Sequence, residues 1–164
     1  MKRILQMLFL IGPFVLFSCE NDEEGKSITP PVDKNLMVGT WVLHEHKMEF
    51  FDREWVKLKE LVYIGRSMPY DIWEIELEDS INMSDSWYIY PDETWHYKLT
   101  GEDGKQFLKI VYSPDFTKSY EILSVNNKSL VVKNIDENSG HAYPDDGGQK
   151  IAHSMITTLT FNKL

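Results

Sequence analysis

Ser119-Tyr120-Glu121-Ile122-Leu123-Ser124-Val125-Asn126-Asn127-Lys128-Ser129-Leu130-Val131-Val132-Lys133-Asn134-Ile135 contains two short runs rich in β-branched and aromatic residues on either side of a polar joint. Asn126-Asn127-Lys128 has hairpin chemistry, because asparagine tolerates left-handed backbone and bonds to its own main chain. A joint this short makes the flanking strands antiparallel neighbours. Tyr120 and Ile122 alternate with Glu121, which predicts one buried face and one wet face.

The same pattern recurs in both directions along the chain. Runs rich in Trp, Tyr, Ile, Val and Thr predict further strands over residues 39–50, 55–64, 70–77, 86–90, 94–100, 106–112 and 152–162. Pro91-Asp92-Glu93, Gly101-Glu102-Asp103-Gly104 and Ser113-Pro114-Asp115 supply further tight joints. Trp73, Ile75 and Leu77 alternate with Glu74, Glu76 and Glu78, which predicts that the odd-numbered residues face the interior. Trp55, Leu58 and Leu61-Val62 also fit a helical spacing, and we read this segment as a strand. Residues 134–150 form the longest stretch without strand character and are expected to be a loop. Nine short antiparallel strands make the domain all-β and suit a barrel or a sandwich.

The N-terminal residues have a different organisation. Lys2 and Arg3 precede an apolar run, Ile4 to Phe17, interrupted at Gly12-Pro13. At roughly 14 residues it is shorter than the roughly 20 a membrane-crossing helix needs, so it reads as a cleaved signal peptide. Cys19 is the chain's single cysteine, which rules out an intramolecular disulfide. Glu20-Asn21-Asp22-Glu23-Glu24-Gly25-Lys26 and the Pro30-Pro31 segment read as a flexible acidic tether. The expected division is therefore a signal peptide over 1–18, a lipidated cysteine and tether over 19–35, and one β-barrel domain over 36–164. Removing the signal leaves 15 basic against 26 acidic residues, a formal charge of −11, which disfavours a nucleic-acid partner.

Two resemblances sharpen this reading. Leu16-Phe17-Ser18-Cys19 resembles the lipobox of bacterial lipoproteins, which implies that Cys19 carries acyl chains such as palmitate. Two or more chains hold a protein stably at a membrane. The acidic residues after Cys19 are similar to the export signal of lipoproteins sent to the outer face of the outer membrane. That implies the cell surface, with the periplasmic leaflet as the alternative.

Gly39-Thr40-Trp41 resembles the G-x-W element that opens a lipocalin-like barrel of about 8–9 strands. Trp87 to Trp95 is similar to the aromatic hairpin of bacterial lipocalin-like lipoproteins, Tyr120 to Val132 to their paired late strands, and Thr157 to Leu164 to their closing strand. Glu93 stands where that hairpin usually has glycine, and residues 50–86 have no matching segment. The resemblance implies that Gly39 and Trp41 are structural, with Trp41 packed across one barrel end.

Signals for chemistry are weak by comparison. His44-Glu45-His46 invites a metal reading, but on a regular strand the two histidines share a face while Glu45 points away, and no third ligand is indicated. Asp136, Asn138, Asp145 and Asp146 supply oxygens without the spacing of a calcium loop. No nucleophile or zinc-protease motif is found, so no cofactor beyond the covalent lipid is expected. The expected function is a non-enzymatic, membrane-anchored module holding a small apolar ligand in its barrel. Trp73, Trp87, Tyr88, Tyr90, Trp95 and Tyr97 are the candidate contacts, since aromatic patches on strand faces mark contact surfaces. The alternative is a filled barrel that contacts glycan or a protein partner.

Overall fold

A chain of short strands joined by tight turns leaves unpaired backbone at both ends of its sheet unless the first strand meets the last. The computed structural model, which describes residues 31–65, 70–85, 92–137 and 140–164, shows that meeting. Its elements are a one-turn helix α1 (Lys34–Met37) followed by strands β1 (Gly39–Phe51), β2 (Lys57–Ile64), β3 (Ile72–Ile75), β4 (Ser80–Ser84), β5 (Glu93–Glu102), β6 (Lys105–Ser113), β7 (Phe116–Val125), β8 (Ser129–Asp136), β9 (His141–Asp145), β10 (Gly148–Ala152) and β11 (Ser154–Lys163). Strands β1, β3, β4, β5, β6, β7, β8 and β11 form an antiparallel circuit that closes through β11–β1. The fold is therefore an all-β barrel of eight strands with one extra strand, β2, and a separate β9–β10 hairpin.

β1 serves several partners at once. One edge pairs with β11 from Trp41 to Phe51. The other pairs with β3 over Gly39–Val42 and then with β2 over Glu45–Phe51. The change of partner falls at a bulge, where the register with β11 slips between Leu43 and Glu45. There Leu43 N–H donates to Asp71 O at 2.8 Å and Gly65 N–H donates to His44 O at 2.6 Å. The slip reverses the in–out alternation: Trp41 and Leu43 face inward before it, and Phe50 is buried beyond it.

The end of the barrel where β1 begins, here called the lower end, is filled with side chains. Trp41 is fully buried, and its indole N–H donates to Met37 O at 2.7 Å, which seats α1 across the opening. The Lys163 ammonium lies 4.9 Å from the same ring. Gly39 adopts φ +135°, and a Cβ there would meet Lys163 Cε at 2.5 Å. Trp73 packs against Phe161 at 4.5 Å and edge-on to Tyr120 at 5.5 Å. Tyr97 is buried and its hydroxyl donates to Glu76 O at 2.8 Å. Above this core a second, smaller cluster forms where Phe50 meets Tyr143 of the hairpin at 5.1 Å, with Ala152 alongside.

Several expectations need correction. Leu77 does not face the interior: β3 ends at Ile75, and Leu77 lies exposed in the turn to β4. Residues 134–150 are not a loop without strands, because β8 runs to Asp136 and β9 and β10 pair through Asp146-Gly147. β4 went unread as well. The segment with an ambiguous helical spacing is strand β2. The predicted strand over 86–90 lies outside the described residues.

Replacing Trp73 by alanine removes the ring joining β3 to β11 and β7. Unfolding in urea is expected to show a loss of about 3–5 kcal/mol, the usual cost of truncating a buried aromatic.

Candidate binding cleft at the upper barrel end

The hairpin that decides the fold also opens into a cleft at the barrel's upper end. From the Asn126 turn, β7 and β8 pair as Val125↔Leu130, Ser124↔Val131, Ile122↔Val132 and Glu121↔Lys133, with a register slip between Ile122 and Ser124. The ladder stops there. β7 continues to Phe116 along β6, while β8 continues to Asp136 along β11. A bulge increases local twist, and past this one each strand follows its outer neighbour. Across the gap the Asn134 side-chain amide donates to Ser119 O at 2.8 Å, a side chain doing the work of the missing ladder. The divergence leaves a cleft of about 360 Å³ lined by residues 116–119 and 134–136.

Lys118 is placed by strand parity on the same face as Tyr120 and Ile122, which are both core residues. Its Nζ lies 5.4 Å from the centroid of the Tyr120 ring. Lys118 makes no salt bridge among the described residues. Burial lowers its pKa, and the more distant Asp136 carboxylate opposes that shift. Asp136 Oδ2 itself lies 3.6 Å from His141 Nε2.

His46 is half-buried, its ring 6.0 Å from that of Tyr63. Its Nδ1 is buried with no hydrogen-bond partner among the described residues. Burial lowers its pKa first, and the Lys118 charge adds to the shift.

An aromatic ladder rises along the neighbouring wall. Trp95 packs on Tyr112 at 4.9 Å, and Tyr112 packs on the exposed Phe116 at 5.4 Å. The Tyr112 and Tyr120 hydroxyls lie near enough to influence each other, and burial raises the pKa of both. Trp95 Nε1 is buried without a partner among the described residues. An indole N–H, an imidazole nitrogen and an ammonium are thus left without strong partners in the upper part of the barrel. Such groups usually signal either cost or function.

The candidate contacts named from sequence separate. Trp73 and Tyr97 belong to the packed core, and Trp95 stands in the ladder. Trp87, Tyr88, Tyr90 and Cys19 lie outside the described residues. Gly39 and Trp41 lie at the lower end. His44 and His46 do not share a regular strand face: the bulge intervenes, leaving His44 exposed and His46 half-buried. Asp145 is drawn to Lys150 and, at 3.8 Å, to Lys59 rather than toward Asp136. No group of three or more His, Cys, Asp or Glu side chains positioned for a metal is found among the described residues.

Sequence reasoning missed Lys118, Tyr112, Phe116 and Asn134. The signal for Lys118 was present, since the alternation that puts Tyr120 and Ile122 inside puts Lys118 there too.

Among the described residues no helix is long and apolar enough to cross a membrane. Comparison of the chain with protein-family models, with curated proteins and with solved structures found no match.

The half-buried His46 makes stability depend on pH. Its folded pKa lies below the ordinary 6.5, so as pH falls the unfolded chain takes up this proton first. The stability from neutral His46 is complete above about 6.5 and declines as pH drops below it toward the folded value. Urea midpoints measured from pH 7.5 down to 5.5 are expected to fall, and His46→Phe is expected to flatten that fall.

Proposed function

We propose that this chain is a non-enzymatic, lipocalin-like lipoprotein, anchored in the outer membrane through Cys19 and exposed at the cell surface, whose barrel binds a small, largely apolar ligand near its upper end. The cleft between β7 and β8 carries this reading: Phe116, one of its lining residues, packs on Tyr112, which in turn packs on Trp95. Small-molecule sites are typically concave and apolar with a few convergent polar groups. Lys118, His46 and Asn134 supply such groups around the cleft. The packed lower half confines a ligand to the upper part of the barrel.

The filled lower core also favours a second reading, in which the barrel is a scaffold and its surface contacts glycan or a protein. Native mass spectrometry of the mature chain, purified gently from cells, separates the two. Binding predicts a retained small molecule or a mass shift with added apolar probes. A clean mass that no probe shifts would overturn it in favour of the scaffold.

The anchor rests on the lipobox-like residues before Cys19. Cys19→Ala is expected to abolish incorporation of labelled palmitate and release the protein from the membrane fraction. Membrane association that survives the change would count against acylation.

A further inference from the structure

The upper part of the barrel carries a cation that the described residues leave unpaired. Lys118 lies on the inward face of β7 with its Nζ against the Tyr120 ring and no salt bridge among the described residues. Asp136 lines the same cleft, but its carboxylate lies beyond ion-pair distance of Lys118 and is paired with His141 Nε2 at 3.6 Å. Taking an ammonium out of water without a close counter-ion is costly. The same loss of water strengthens its attraction for any anion that enters. His46 stands close enough for the Lys118 charge to act on it, and its Nδ1 has no partner among the described residues. The Lys118 ammonium, which can only donate, is therefore short of an acceptor among the described residues.

The apolar part of the cleft is shaped differently. Phe116 is 57% exposed and Ile135 44% exposed, and both line it. A volume of about 360 Å³ is near the small end of ligand sites. It suits a short chain or a single ring rather than a long lipid.

We propose that the cleft between β7 and β8 is a subsite for a small monocarboxylate amphiphile, whose carboxylate pairs with Lys118 and whose apolar tail lies along Phe116 and Ile135. This rests on the binding reading above and adds the chemical class of the ligand. Lys118 supplies the charge recognition, and Asn134 ties β8 to Ser119 across the cleft, fixing the distance between its two sides. The Asp136 carboxylate at the rim sets a limit on ligand charge, since a dianion would meet it directly.

The test compares three probes of equal chain length, octanoate, 1-octanol and octylamine, titrated against the mature chain and followed by tryptophan fluorescence. Octanoate is expected to bind about ten- to hundred-fold more tightly than octanol, the range of a charge-assisted hydrogen bond, and octylamine least well. In Lys118→Met the preference for octanoate should vanish while octanol binding persists, and the variant should melt no lower than the parent. Lys118→Arg should keep the preference.

Equal binding of octanoate and octanol by the parent chain would overturn the carboxylate assignment and leave the apolar cleft standing. A preference that survives Lys118→Met would overturn the role of Lys118. Failure of all three probes to bind would overturn both the subsite and the binding reading beneath it.

Discussion

The pairing of β1 with β11 from Trp41↔Lys163 to Phe51↔Ser154 is the interaction on which the other features depend. It joins the first strand to the last and turns an open sheet into a barrel. Eight strands give an interior that side chains can fill, and the lower half shows that filling around Trp41, Trp73 and Phe161. The same pairing orders the periphery. β1 is longer than β3, so its far half is free to recruit β2, and the β9–β10 hairpin then covers Phe50. Without β11 along its other edge, that half of β1 would be a two-stranded ribbon, which has little stability of its own.

Among the register slips of the barrel, two change what lies within it. Between Leu43 and Glu45 the slip resets β1 so that His46 lies half-buried rather than following the parity of Leu43. Between Ile122 and Ser124 the slip precedes the point where β7 and β8 part. Without these two slips β1 would keep the in–out parity of Leu43, and β7 and β8 would stay in one register. Bulges that re-aim side chains beside sites are common, and here the re-aimed and uncovered groups are an imidazole and a lysine. Both are costly to bury. Natural sequences tolerate such local conflicts mainly at functional positions, which is why the upper half of the barrel, rather than the tightly packed lower half, is the place to look for a ligand.

Most of the barrel was legible because its signals are local. Tyr120, Ile122 and the Asn126 turn specify a hairpin within a few residues of one another, and Gly39-Thr40-Trp41 marks the start of β1. The features that escaped depend on partners distant in sequence. β4 is five residues long with only Ile81 and Met83 buried, too short for its alternation to stand out. β9 and β10 bury only Tyr143 and Ala152, so hydrophobic periodicity, the main strand signal, is nearly absent. The separation of His44 from His46 arises from a register slip against β11, more than a hundred residues away. No pattern within His44-Glu45-His46 reveals it. The candidate site was legible only in part for the same reason. The aromatic residues stand out in the sequence, but whether each fills the core, as Trp73 and Tyr97 do, or joins the ladder, as Trp95 does, depends on height along the barrel axis.

That division by height gives one interior a closely packed half and a half where the strands part. Large aromatic rings at the lower end lock β3, β7 and β11 together through edge and tilted contacts, and such packing leaves little room for adjustment. Tyr120 sits at the boundary. Its ring meets Trp73 edge-on in the core, and the Lys118 ammonium lies 5.4 Å from the ring centroid. The packed half thereby fixes the floor beneath Lys118. A lysine held over a rigid aromatic floor loses less freedom on binding than one in solvent, because part of the ordering cost is already met in the fold. The barrel's rigid core thereby positions Lys118, an inward-facing cation for which the described residues supply no salt bridge.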